Sequence, residues 1–295
     1  MKKIAIIIPA YKHIYLEETL ESIAIQDLSD CHIYIGDDAS PYPIASIVKK
    51  FEQRIPLSYT KFEDNLGGHD LVAQWNRCVA LSQGEEWIWL FSDDDLMCPD
   101  CIRHVKDYIS KYNGSVNVYH INGTVIDNNQ NEIRLKTIED FPEYLSSQEY
   151  LNRILRGRDN TWGINFIVRS ERFIATGGFV NFDLAWNADR ASWLLFSFPK
   201  GIRTINAANL KWRYSGINIT AQKADKDIYR RKLFARMEFQ KWLYSNYLSN
   251  NALNISRFTM LIYALRNFKG DKHASLLLRL SVFWKTLLYL GFFKL

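Results

Sequence analysis

Trp87-Ile-Trp-Leu-Phe-Ser-Asp-Asp-Asp-Leu96 is the stretch on which the reading of the whole chain turns. Residues 87–91 are aromatic and aliphatic, uncharged and too few for a helix, which predicts a buried strand. The strand runs into Ser92 and three consecutive carboxylates, Asp93, Asp94 and Asp95. Adjacent carboxylates repel, and at the mouth of a sheet each loses hydration, so the arrangement requires compensating positive charge. A divalent cation with hard oxygen ligands would supply it. In an open α/β sheet, ligands bind at the carboxyl ends of the strands. Two readings stand: a metal–diphosphate site, or a solvated acidic turn capping the helix that follows.

Upstream, the same strand–loop–helix grammar repeats three times. Residues 4–8 form an apolar run ended by Pro9-Ala-Tyr11, and Leu16, Leu20, Ile23 and Ala24 then recur at helical spacing. Residues 32–35 predict a second strand ending in Gly36-Asp-Asp-Ala-Ser-Pro41, followed by a helix marked by Ile44, Ile47, Val48 and Phe51. Residues 57–62 predict a third strand leading to Asn65-Leu-Gly-Gly68, with Leu71, Val72, Trp75, Cys78 and Val79 inward on a third helix. Such β-α-β-α-β-α-β order specifies an α/β, mostly parallel sheet with helices on both faces. Every polar loop lies at a strand's carboxyl end, which places them on one rim.

Downstream, residues 101–112 make an amphipathic helix. Residues 116–122 and 133–136 read as strands around the turn Asp127-Asn-Asn-Gln-Asn131, and 137–160 as an inserted loop and short helix. Residues 163–169 predict another strand, followed by Thr176-Gly-Gly-Phe179 and Leu184-Ala-Trp-Asn-Ala-Asp189. Residues 202–205 and 210–214 close the sheet, 214–220 leave it, and from about residue 225 the pattern is helical. The expected division is residues 1–220 for the sheet domain and 221–295 for a basic helical appendage.

The 295 residues, 47% hydrophobic, suit an ordinary globular core without low-complexity tracts. Charge is unevenly spread: residues 1–199 hold 19 Lys/Arg against 28 Asp/Glu, and residues 200–295 hold 18 against 4. A basic tail of this kind meets something anionic: a membrane surface, a nucleic acid or the acidic front half. It carries no nucleic-acid recognition motif, so no nucleic-acid partner is expected. Cys31, Cys78, Cys98 and Cys101 without a secretory leader fit a reducing cytosol. The pair Cys98 and Cys101 has half a zinc site's spacing but no second pair, and reads as two ordinary residues at a helix start. Residues 274–292 are leucine- and aromatic-rich nearly all round, with Arg279 and Lys285 among them. A basic amphipathic helix lying in a membrane interface fits these charges better than a spanning segment. A helix packed on the sheet domain, or in a homodimer interface, fits the same pattern.

Ile7-Ile-Pro-Ala-Tyr11, Gly36-Asp-Asp-Ala-Ser40, Asn65-Leu-Gly67 and Ser92-Asp-Asp-Asp95 fall in the order and spacing of family 2 glycosyltransferases, which the chain resembles over roughly residues 1–125. The resemblance resumes at Gly177-Gly-Phe179 and Trp186-Asn-Ala-Asp189. It implies the GT-A fold and inverting sugar transfer from a nucleoside diphosphate, usually with Mn²⁺ or Mg²⁺. Carried over residue by residue, Pro9, Ala10 and Tyr11 resemble the loop against the nucleotide base, with Tyr11 stacking on it or else buried against the first helix. Asp38 is similar to the aspartate that accepts the uracil ring imino proton, a group that only an acceptor satisfies. Asp37 is read as holding its loop through backbone N–H groups. Asn65 and Gly67 resemble the loop closing over the nucleoside, and Asn76 a position on the ribose side, though mid-helix it also reads as a solvated polar residue.

In the family's metal motif, Asp-x-Asp-Asp, Ser92 replaces the first aspartate. The alignment makes Asp94 the direct metal ligand, Asp93 a ribose contact and Asp95 a further metal or acceptor-side candidate. Asp189 resembles the catalytic base that follows the Gly-Gly-Phe segment, with Asp183 a rival in the same loop. Arg213 and Ser215 leave the sheet at a diphosphate-facing position, where a guanidinium would add positive charge or simply answer the acidic rim. The implied partners are a UDP-sugar donor and a saccharide or lipid-linked saccharide acceptor. The implied location is cytoplasmic, peripheral at the inner face of the plasma membrane. Two other classes are weaker matches. A sugar-nucleotide pyrophosphorylase needs a glycine-rich phosphate loop where Pro9-Ala-Tyr-Lys-His13 has no glycine, and a non-catalytic scaffold has no need of three aspartates and Asp189.

Overall fold

The computed structural model describes residues 3–133, 139–159, 162–216, 226–270 and 274–292. The first half alternates as its apolar pattern requires: β1 (Ile4–Ala10), α1 (Leu16–Ala24), β2 (Cys31–Asp37), α2 (Ile44–Lys49), β3 (Leu57–Lys61), α3 (Leu71–Val79) and β4 (Trp87–Leu90). Then follow β5 (Leu96–Met97), α4 (Cys101–Tyr112), β6 (Val118–His120), β7 (Gly123–Ile126), β8 (Glu132–Ile133), β9 (Tyr144–Leu145) and α5 (Ser147–Arg156). The remainder comprises β10 (Phe166–Arg169), α6 (Ser170–Ala175), α7 (Ala188–Ser197), β11 (Ile202–Thr204), β12 (Leu210–Arg213), α8 (Lys226–Leu243), α9 (Arg257–Gly270) and α10 (Leu276–Tyr289).

The main sheet runs β3-β2-β1-β4-β10-β6-β11-β9. β3, β2, β1 and β4 are parallel, and β10 is antiparallel to both of its neighbours. Alternation along β1 feeds two cores. Ile4, Ile6 and Ile8 pack with α1, α2 and α4, while Ala5 and Ile7 face α3, α5 and α7. Chain order reverses between β1 and β4, the position at which open α/β sheets leave a crevice for ligands.

Four expectations are corrected. β1 continues through Pro9 and Ala10, which pair in register with Gly36 and Asp37; the proline's missing N–H is tolerated at the strand's end. The turn at 127–131 joins β7 to β8 rather than the longer run at 116–122, whose strand β6 belongs to the main sheet; residues 134–136 lie outside the described ones. Residues 163–165 form a 3₁₀ turn ahead of β10. β12 pairs with β5 and β7 in a second sheet, ordered β5-β12-β7-β8, and does not extend the first. That small sheet matters because it anchors both ends of the aspartate loop's surroundings: β5 directly follows the loop, and β12 lies beside β5.

The C-terminal helices are not set apart from the sheet. Phe239, Leu243 and Tyr247, with Leu253, Ile255, Met260, Tyr263 and Leu290, share one apolar cluster with β1, β4, α5 and α7. The junction between the expected domains, residues 217–225, lies outside the described residues.

Candidate functional site

Asp93, Asp94 and Asp95 are 4%, 3% and 2% exposed, so the solvated acidic turn is excluded. Each has a different partner. Asp93 Oδ2 accepts the backbone N–H groups of Tyr11 and Lys12 at 2.9 and 2.7 Å, stitching the end of β4 to the end of β1. Its other oxygen, Oδ1, lies 3.2 Å from Lys12 Nζ, and the same ammonium bonds Asp94 Oδ2. Asp95 turns inward: Oδ1 accepts Arg213 N–H at 2.7 Å and Oδ2 lies 2.5 Å from Ser92 Oγ. Ser92 Oγ also lies 2.9 Å from Asp94 Oδ1. One hydroxyl proton serves one acceptor, so a proton on Asp95 completes the chain. Burial first, and then the charge of Asp94, push the Asp95 carboxyl well above the ordinary carboxylate range. Burial likewise raises Asp93, opposed by Lys12. Burial works to lower the Lys12 pKa, and the two carboxylates outweigh it and hold the ammonium charged.

The donor set fits a divalent cation in part. Asp93 Oδ1 and Asp94 Oδ2 converge on one position, taken here by Lys12 Nζ. Mg²⁺ and its analogues bind through one or two carboxylates plus substrate phosphates, so this pair is sufficient in number. Among the described residues no group of three or more His, Cys, Asp or Glu is arranged to hold a metal ion. Asp95, expected beside Asp94 as a metal candidate, instead has Arg213 N–H and Ser92 Oγ as its partners, and Asp93 is the carboxylate that shares Lys12 with Asp94.

The loop after β3 is built around Asp38, which accepts Leu66 N–H on Oδ1, Gly67 N–H on Oδ2, and Arg77 Nη2 on Oδ1. A carboxylate offers about four lone-pair sites, so Oδ2 retains one for an imino proton. A Cβ on Gly67 would lie 2.6 Å from Asp38 Oδ2, which is why the residue is glycine. Asn65 closes the same loop by accepting Gly68 N–H at 2.6 Å. Asp37 holds Ser40 N–H and the Tyr59 hydroxyl. Ser40 in turn donates to Tyr11 O, and the Tyr11 ring remains 37% exposed on the rim.

Asn76 and Arg213 have structural partners of their own. Asn76 Oδ1 accepts Phe179 N–H at 3.0 Å and sits where a Cβ on Gly178 would collide, Gly178 having φ +89°. It ties α3 to the segment that precedes Asp189. Arg213 is fully buried. Its guanidinium donates to Asp94 O, Asp127 O, Asn128 O and Glu18 Oε2, and stacks over Tyr15. It braces the aspartate loop from behind. Ser215, two residues beyond β12, is buried.

Asp189 occupies the first turn of α7, reached through a backbone in which Leu184, Ala185 and Asn187 are all left-handed. Such conformations cost roughly 1 kcal/mol or more each in non-glycine residues and are kept where a fixed geometry is needed. Asp189 Oδ1 accepts Arg190 N–H at 2.8 Å. The Arg190 guanidinium turns away, gripping Asp159 through Nε and Nη2 and Asn187 through Nη1. Burial raises the Asp189 pKa to about 6, against the partial opposition of Arg190. The rival Asp183 is ion-paired by Arg231 at 2.6 and 2.9 Å, which lowers its pKa and ties up both oxygens. Beside this loop lies a cavity of about 460 Å³, lined by Phe182, Trp242 and Phe234 with Asn181, Glu238 and Asn246.

Sequence reasoning missed Lys12, Arg77, Asp159 and the bracing role of Arg213. Lys12 was legible as the one cation between Tyr11 and the first helix; the others depend on contacts across 31 to 195 residues.

A mostly parallel sheet whose strand ends converge on buried carboxylates has the arrangement of a GT-A fold. The profile of the family described as glycosyl transferase family 2 matches residues 5–175, more than half of the chain. The chain belongs to that family. It is 29% identical over 127 residues to the poly(ribitol-phosphate) beta-N-acetylglucosaminyltransferase TarS of Staphylococcus aureus, strains Mu50 and MW2, a match covering 42% of this chain and 22% of TarS. The chain thus spans about a fifth of the length of those curated relatives. Crystal structures of S. aureus TarS 1–349 share the fold: the UDP-GlcNAc complex at TM-score 0.59 and 16% identity, covering 91% of this chain and 81% of that one, and the UDP complex at TM-score 0.57 and 16% identity, covering 89% and 78%.

Proposed function

We propose that the chain is an inverting glycosyltransferase that moves a hexosyl or N-acetylhexosaminyl unit from a UDP-sugar to a hydroxyl of a saccharide or lipid-linked saccharide. The observation that carries this reading is the pairing of two unlike acidic sites. One is a rim where Asp93 and Asp94 share a cation; the other is a separate carboxylate, Asp189, poised near neutrality. UDP-GlcNAc is the favoured donor because TarS binds it in its crystal structure.

In this reading Tyr11 offers its exposed ring to the base, and the remaining lone pair of Asp38 takes the uracil imino proton, selecting uridine over cytidine. Asn65 and Gly67 hold the loop over the nucleoside. A Mn²⁺ or Mg²⁺ ion held by Asp94 and Asp93 would neutralise charge growing on the departing diphosphate. Asp189 accepts the proton of the attacking hydroxyl; an aspartate with a pKa of about 6 is ionised at pH 7 and basic enough for the task. A single in-line displacement inverts the anomeric centre. The aromatic and amide lining of the cavity beside α8 suits a sugar ring of the acceptor.

Peripheral membrane contact is the further part of the proposal. Phe258, Ile262, Leu277 and Trp284 are more than half exposed on α9 and α10, among Arg257, Arg266, Lys269 and Lys285. Among the described residues no helix is long and apolar enough to cross a membrane. Salt-sensitive pelleting with phosphatidylglycerol vesicles, lost on removing residues 271–295, is the expected result. Concentration-dependent self-association without vesicle binding would assign the face to a homodimer instead.

The test of the central reading is calorimetric titration of UDP and a panel of nucleotide sugars with and without Mn²⁺. Micromolar binding of uridine compounds and not of their cytidine counterparts is expected; indifference to all of them would end the proposal.

A further inference from the structure

The cation that balances the aspartate rim belongs to the chain itself. Lys12 Nζ spans Asp93 Oδ1 and Asp94 Oδ2, the two oxygens that a divalent ion would need. Its backbone is pinned, because Lys12 N–H donates to Asp93 Oδ2, so only the four-carbon stem is free to move. The ammonium side chain is 27% exposed, whereas the two carboxylates are 5% exposed. The other buried cations of the site differ in this respect. Arg213 is wholly buried among four acceptors, and Arg190 is locked bidentate on Asp159. Unlike these two arginines, Lys12 can exchange its bonds without opening the core.

Two carboxylates balance a divalent ion by themselves. If such an ion entered alone, the ammonium would be left beside it without a counter-charge, and like charges at this range are strongly unfavourable. A diphosphate arriving with the ion removes the conflict, because its oxygens accept both the ion and an ammonium swung off the aspartates.

We propose that Lys12 is a tethered counter-cation that competes with free divalent metal for Asp93 and Asp94 and transfers to the diphosphate when metal and nucleotide enter together. The inference rests on the nucleotide-sugar reading above. It makes Lys12 a positioning residue that couples metal affinity to nucleotide.

The experiment measures Mn²⁺ binding by the free-ion electron paramagnetic resonance signal, with and without UDP, in wild-type protein and in Lys12→Met. Wild-type protein is expected to bind Mn²⁺ at least about tenfold more tightly with UDP than without. Lys12→Met is expected to bind free Mn²⁺ at least about tenfold more tightly than wild type and to lose most of the gain from UDP. Equal Mn²⁺ affinity of the two proteins without UDP, while both bind Mn²⁺–UDP, would overturn the Lys12 proposal and leave the enzyme reading intact. Wild-type protein that binds no UDP at any Mn²⁺ concentration would remove both. Should Lys12→Met fail to fold, the wild-type pair of titrations decides: Mn²⁺ affinity indifferent to UDP refutes the exchange.

Discussion

The two acidic sites of this molecule answer the same problem in opposite ways. At the rim, Asp93 and Asp94 are deeply buried, and a flexible ammonium lies between them. At α7, Asp189 is next in sequence to an arginine, but that arginine has been drawn off to Asp159. Burial then raises the affinity of Asp189 for a proton, and Arg190 offsets only part of the effect. The difference teaches that a carboxylate's neighbour in sequence does not set its chemistry; the direction in which the neighbour's charge is committed does. In the proposed mechanism, the first site holds a cation and the second accepts a proton.

The contrast is testable from its strongest consequence down. Asp189→Asn keeps the shape and removes the base, so sugar transfer should fall by about 10²–10⁴-fold while UDP binding by calorimetry is unchanged. If Asp94→Ala did the same, the two sites would not be distinct. Instead, Asp94→Ala should weaken Mn²⁺-dependent UDP binding by more than about tenfold, since even outer partners of a metal contribute that much. The pH profile of kcat/KM should fall about tenfold per unit below pH 6 and level off above it, because Asp189 acts as the carboxylate and titrates at about 6; Asp189→Asn should lose that limb.

The same shift carries a stability sign. A carboxyl whose pKa is higher folded than unfolded contributes most below the unfolded value near 3.8 and loses that contribution as pH rises through 6. Asp189→Asn should therefore melt above wild type at pH 7, with the difference vanishing toward pH 4. The smallest effect is expected at Asn76→Ala, about 1–3 kcal/mol of stability from the unpaired Phe179 N–H. A larger loss of activity than of stability there would mark the strap from α3 as part of what aims Asp189.

The order of the first four strands and three helices was legible because each strand's burial and each helix's stripe are written in local periodicity, as in residues 4–8 and 87–91. The rim loops were legible for the same reason: parallel strands put their carboxyl ends on one side. Asp93 and Asp94 lie on that rim because they follow the fourth strand, whereas the roles expected of them, of Asp38 and of Asp189 came only from the family resemblance. The partners of Asn76 and Arg213 were not legible because they lie far along the chain: 103 residues away for Asn76, and 195 for the Arg213–Glu18 bond. The second sheet was missed because β5 and β8 are two residues long, too short to show a period.

Sequence alone, then, determined that this chain makes a parallel α/β sheet with an acidic rim, since apolar spacing and strand direction are properties of short windows. Folding in three dimensions decided which acids keep a charge, which share a proton and which arginine is available to which carboxylate. Those outcomes depend on desolvation and on distances between residues that the chain brings together only when the core closes.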